Sequence, residues 1–185
     1  MKTLFLSAAL ALAATVVSSP AGAGSVSIGN STAQDCYEAA IARSADRNSF
    51  YHCNLALNQE ALTPADRAAT LVNRGALHLR GHNYRSAGRD FNAALKSDSN
   101  NAEAWLNLAI VDLQQGGASN AMPMIEKSLA LNTARPALAY YSRSIANERM
   151  GRIRAAYGDL QRAHELAPTW REPLEDLKRY QVRRR

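Results

Sequence analysis

Aromatic side chains are scarce in this sequence, at 6% of 185 residues, and the only cysteines are Cys36 and Cys53. A chain poor in rings and rich in alanine suits helices packed close together. Beyond Val17 no apolar run reaches the roughly 20 residues that a membrane-spanning helix needs. No serine stands in a nucleophile-elbow pattern, and no glycine-rich loop follows a strand. Asp90, Asp112 and Asp159 are scattered over helical positions where acids are ordinarily solvated. Nothing here asks for a catalytic pair or a cofactor, and the expectation is a non-enzyme.

The nearest approach to a metal motif is His78 and His82, four residues apart on a helix. The metalloprotease form of that spacing needs a glutamate directly after the first histidine, and Leu79 stands there. A tetrahedral site would want a further protein ligand. A core-edge and a turn histidine are the better account.

The first residues have the layout of a secretory leader. Lys2 supplies a positive start, Leu4 to Val17 is apolar apart from Ser7 and Thr15, and Pro20-Ala21-Gly22-Ala23 offers a small-residue cleavage site. Residues 1–23 are therefore expected to be a signal peptide, with 24–33 a flexible start of the mature chain. No cysteine follows the cut, which argues against a lipid anchor. An exported chain is expected, periplasmic first and secreted second, with no transmembrane segment after cleavage.

Export changes how the cysteines read. In a cytosolic protein they would be buried thiols; in an oxidising compartment an even pair is a disulfide candidate. Both fall on predicted helices joined by the polar turn Ser44-Ala45-Asp46-Arg47-Asn48. A chain reversal there would bring Cys36 across from the turn that holds Cys53.

The formal net charge is +6 and unevenly spread. Residues 24–67 carry five acids against three bases, whereas 171–185 carry six bases against three acids. A basic balance fits nucleic acid, anionic lipid or acidic protein. Export disfavours the first.

A period of 34 residues organises the rest. Gly75, Ala109 and Ser144 recur together with Ala87, Ala121 and Ala156, and Phe91, Ile125 and Leu160 follow in phase. Small residues let two helices approach, and bulky ones fill the space between them. Units align as 68–101, 102–135 and 137–170, each with two helical stretches about a turn at Gly81-His82-Asn83, Gly116-Gly117 or Gly151-Arg152. Thr63-Pro64-Ala65-Asp66 is a helix start. Residues 34–67 read as a degenerate unit, with Tyr37, Cys53 and Leu57 at the matching positions, or else as an unrelated helical hairpin. Residues 171–182 read as an amphipathic cap with Leu174, Leu177 and Val182 near one face, and 183–185 as a basic tail. Pro123 falls early in a predicted helix and is expected to shift its start.

These positions resemble the tetratricopeptide repeat. The fourth position holds Leu71, Trp105 and Tyr140; the eighth, twentieth and twenty-fourth hold the small and bulky series above. The resemblance implies an all-α, right-handed α-solenoid of helix-turn-helix repeats with a C-terminal capping helix. It also implies a concave groove lined by the first helix of each unit. The matching groove residues are Asn73, Arg80, Leu106, Asn107, Ile110, Gln114, Tyr141, Ile145 and Arg149. Asn73 and Asn107 match the family asparagine whose amide holds a ligand backbone. Some relatives grip a C-terminal carboxylate with a five-residue clamp; only Asn107 of it is kept here, with Val72, Ala76, Leu138 and Ser142 at the other places. A largely apolar groove with Arg80 and Arg149 near one edge then suits a protein or peptide with apolar anchors and some acidic residues. The leading function is an exported peptide-binding module or assembly adaptor. The alternatives are a structural subunit using its outer face, and a helical-repeat RNA binder that export opposes.

Overall fold

The structure, a computed structural model, describes residues 31–42 and 46–180. The expected leader, most of 24–33, Ser44 and Ala45 of the first turn, Val182 and the tail 183–185 lie outside them. Among the described residues there are nine α-helices and no strand: α1 (Thr32–Ile41), α2 (Arg47–Gln59), α3 (Pro64–Arg80), α4 (Tyr84–Ser97), α5 (Ala102–Gln114), α6 (Ala118–Ala130), α7 (Pro136–Arg149), α8 (Ile153–Leu166) and α9 (Arg171–Leu177). They stack as consecutive helical hairpins, α1–α2 through α7–α8. The first helix of each unit also rests on its counterpart in the preceding unit, and α9 closes the end against α8. The chain is an all-α helical-repeat solenoid.

Local sequence sets the helix starts. Thr63 Oγ1 accepts from the Asp66 amide and donates to its carboxylate at 2.7 Å, with Pro64 in the first turn. Asp46, Asn83 and Asn101 cap α2, α4 and α5 in the same way. Helix ends repeat too. Asn83, Gly117 and Arg152 each donate their amide to the carbonyl five residues back, at 2.8 Å in all three turns.

Four expectations need correction. In the first turn Gly81 has an ordinary φ, and the left-handed residue is His82, at φ 56°, in register with Gly116 and Gly151. The histidine is held there by the turn's hydrogen bonds and by its Nδ1 contact with Tyr84 Oη at 3.0 Å. Pro123 does not shift α6, which starts at Ala118 and runs through it. The proline lies on the exposed side of the helix, near its start, where the missing amide hydrogen bond is tolerated. Helix α1 begins at Thr32, inside the segment expected to be flexible, because Ser31 caps it and Glu60 accepts from the Thr32 amide at 2.6 Å. The capping helix ends at Leu177, short of its expected 182, and Leu174 is 41% exposed while Pro173 is fully buried.

The periodic small and bulky residues meet as their spacing demands. Phe91 is fully buried against Gly75, and Ile125 and Leu160 are buried at the same register. A core of Leu106, Ala109, Ala121, Ile125, Ala139 and Ala146 joins α5, α6 and α7.

The acids at Asp90 and Asp159 are not solvated. Each is 6% exposed and receives a two-pronged arginine from the first helix of its own unit. Arg74 Nε and Nη2 reach Asp90 at 2.8 and 2.6 Å, and Arg143 Nε and Nη2 reach Asp159 at 3.1 and 2.6 Å. The middle unit has Leu108 and Met124 at these two positions. A buried acid stays charged only when paired and hydrogen-bonded, so the arginines are what allow these aspartates inside.

Cys36 and Cys53 form the disulfide that the sequence offered as a candidate, with Cα atoms 4.7 Å apart and both residues fully buried. It staples α1 to α2 beside Leu77 of α3. The Cys36→Ser/Cys53→Ser variant is expected to lose about 3 kcal/mol, the unfolded-state restriction of a loop of this length. Thermal melting should fall by about 6–12 °C for a domain of this size. A melting temperature unchanged by the substitution would show that the hairpin is held by packing alone.

Candidate functional site

The first helices of the last two units enclose a pocket of about 150 Å³ between α5 and α7. Ile110 and Leu113 of α5 face Leu138, Tyr141 and Ile145 of α7, because residues three and four apart share one side of a helix. Gln114, Ser142 and Arg149 supply its polar edge. Of the residues expected in the groove, the structure therefore brings together Ile110, Gln114, Tyr141, Ile145 and Arg149.

The remaining four stand elsewhere. Leu106 is fully buried in the core between α5, α6 and α7, so it cannot meet a ligand. Asn107 is 3% exposed, and its Oδ1 accepts from Arg135 Nη2 at 3.2 Å. Its amide is not offered to a peptide backbone. Arg135 belongs to the α6–α7 loop, which is tied to Glu103 of α5 through Thr133, the Ala134 amide and Arg135 Nε. Asn73 is half-buried on α3, away from the pocket. Arg80 lies at the far end of α3, where its Nη2 donates to the Ala40 carbonyl of α1 at 3.1 Å.

Arg149 repeats that arrangement, donating through Nη1 to the Leu113 carbonyl of α5. Both arginines thus bind carbonyls near the C-terminus of the preceding unit's first helix, where helix polarity favours a cation. They join successive units, and the acid-binding edge expected of them is occupied by backbone. Gln114 is the residue at this register in the middle unit.

Tyr141 ends the pocket and meets the cap. Its hydroxyl donates to Asp176 Oδ2 at 2.9 Å, and its ring lies edge-on to Trp170 at 4.9 Å. Burial, with the Asp176 hydrogen bond and charge, pushes the phenol up to about 12, so it remains a donor through the neutral range. Asp176, Trp170 and Arg135 were missed by sequence reasoning. No short-range signal marks them, since each acts from a loop or cap some 30 residues away from its partner.

His78 and His82 do not converge. His78 stacks on Phe50 at 4.6 Å and lies 3.8 Å from Asp90, while His82 turns to Tyr84. Burial holds the His78 imidazole below its usual range, against the pull of Asp90. Among the described residues no three His, Cys, Asp or Glu side chains gather as metal ligands, and no helix is long and apolar enough to cross a membrane.

Paired helices in register, stacked unit on unit, define a tetratricopeptide-like helical-repeat fold. Solved structures with this fold include the first TPR of Spaghetti (RPAP3) bound to the HSP90 peptide SRMEEVD. It is 22% identical, with a TM-score of 0.58, covering 62% of this chain and 90% of that one. MamA 41-end from Desulfovibrio magneticus RS-1 is 18% identical, with a TM-score of 0.63, covering 82% and 84%. A MamA RS-1 double mutant is 20% identical with the same TM-score, covering 82% and 83%. No family model and no curated protein matches the sequence.

Proposed function

We propose that the chain is an exported binding module or assembly adaptor of the cell envelope, periplasmic in the first instance. It holds a segment of another protein on its concave face. The observation that carries this reading is the α5–α7 pocket, whose apolar walls suit one aliphatic or aromatic anchor side chain. A structural neighbour titled as a peptide complex supports the use of such a fold for peptide capture. The leader-like start supports export, and the buried disulfide fits an oxidising compartment. Because Arg80 and Arg149 are engaged by carbonyls, the anchor on this face is apolar in character.

The test places a photoreactive side chain at Gln114, on the rim of the pocket, in the full-length chain in its native envelope. A defined protein adduct is expected, and Ile110→Glu with Ile145→Glu should reduce its yield at least about tenfold by charging the pocket wall. Equal adducts from the wild type and the Glu variant would remove the groove from the reading. A phosphatase fused after Arg185 should be active in the envelope fraction; activity confined to the cytosol would remove export.

A further inference from the structure

A second groove opens from the opposite face of α5. The mean direction of Leu108, Val111 and Asp112 lies about 180° around the helix from that of Ile110 and Leu113, so this face looks away from the concave pocket. This groove holds about 510 Å³ between α4 and α5. Arg85, Arg89 and Lys96 line its α4 wall. All three are exposed and share one side of that helix.

Three cations share this wall with a single acid, Asp112, across the groove. Arg89 Nη2 donates to the Ser86 hydroxyl at 2.9 Å, and none of the three forms an ion pair among the described residues. The related hollow between α6, α7 and α8, about 300 Å³, differs. There Arg143 is matched by Asp159, and the lining holds Glu126 as well as Arg152.

The groove is also kept open at a cost. Gly88 lies in the middle of α4, where a Cβ would meet only Val111 Cγ1 at 3.8 Å. Alanine would fit and would favour the helix. The same repeat position holds Met122 in the second unit and Tyr157 in the third. Only where the cations line up is the wall bare.

We infer that this α4–α5 groove binds an acidic, extended segment of a partner protein, with its carboxylates on Arg85, Arg89 and Lys96. At 1.5 Å of rise per residue the first two cations are about 6 Å apart along α4. Alternate side chains of an extended strand are spaced by about 6.6 Å, so acids two residues apart can meet both guanidinium groups. Leu108 and Val111 form the apolar floor beneath. Asp112 is the one acid in the lining and opposes the ligand's charge. The surface is separate from the concave pocket, and its occupancy does not depend on that pocket.

Fluorescence anisotropy of the mature chain with a dye-labelled peptide of alternating glutamate and alanine tests this at low salt. The glutamate peptide should bind, and its glutamine counterpart should not. Arg85→Gln with Arg89→Gln should weaken binding at least about tenfold, and Asp112→Asn should tighten it. Gly88→Leu should weaken it while the melting temperature holds, and Ile110→Glu with Ile145→Glu should leave it unchanged. Equal binding of the two peptides, or binding indifferent to Arg85 and Arg89, overturns the proposal. So does a chain that ignores the peptide but sediments with phosphatidylglycerol vesicles through the same arginines, since the partner would then be a membrane.

Discussion

Replacing Phe91 by alanine is expected to cost the domain about 3–5 kcal/mol, because a fully buried ring leaves a cavity that rigid helices cannot close. The complementary substitution is more informative. Gly75→Ala should gain about 1 kcal/mol from helix propensity alone. Yet the added Cβ would lie 2.5 Å from Phe91 Cε1 and 2.9 Å from Cδ1, closer than real carbons approach. Overpacking of this kind costs about 1–3 kcal/mol. The contact is with the body of the ring, so it cannot be relieved by a flexible tip, and the net sign should be destabilising. Gly75→Ala with Phe91→Leu should recover much of the loss, since leucine withdraws those ring atoms. Urea unfolding of the wild type, Gly75→Ala, Phe91→Leu and the double variant gives the coupling directly. A stabilised Gly75→Ala protein would show that α3 and α4 are farther apart than the structure places them.

The second large effect concerns Asp159. Arg143→Ala leaves this acid, with a side chain only 8% exposed, without its guanidinium partner. A loss of about 3 kcal/mol is expected, the low end for a broken buried pair, because Asn147 Nδ2 still donates to Asp159 at 2.9 Å. The middle unit shows the apolar solution. With Leu108 and Met124 at the two equivalent positions, it needs no ion pair. Arg143→Leu with Asp159→Met should therefore be far milder than Arg143→Ala, regaining at least half of the loss. The Asn147 amide left behind limits full recovery. Thermal melting at neutral pH separates the two variants, and a double substitution as damaging as the single one would refute the equivalence of the units.

These arginine–aspartate pairs show how sequence legibility fails. Arg74 and Arg143 are 69 residues apart, as are Asp90 and Asp159, so the recurrence is present in the sequence. It passes unnoticed because an acid on a helix is solvated by default, and burial of a charge shows only once its partner is placed. Leu106 fails for a different reason. It adjoins groove residues in the sequence, but it lies about 40° around α5 from Ile110, which is enough to put it in the core and leave Ile110 at the rim. Arg80 and Arg149 were legible as cations near one edge. Their acceptors are backbone carbonyls, which every residue carries and no sequence pattern marks.

The sequence by itself determined the period, the helix boundaries near Thr63, Asn83 and Gly116, and the small-against-bulky pairing of Gly75 with Phe91. Each is a local or regularly repeated constraint, so spacing and capping chemistry suffice to read it. Only the tertiary structure decided which polar groups remain available to a ligand. Asn107 is taken by Arg135, Tyr141 by Asp176 and Arg149 by Leu113, whereas Arg85 and Lys96 remain without acidic partners. Such contacts join residues about 30 apart, and their geometry exists only once successive units have stacked.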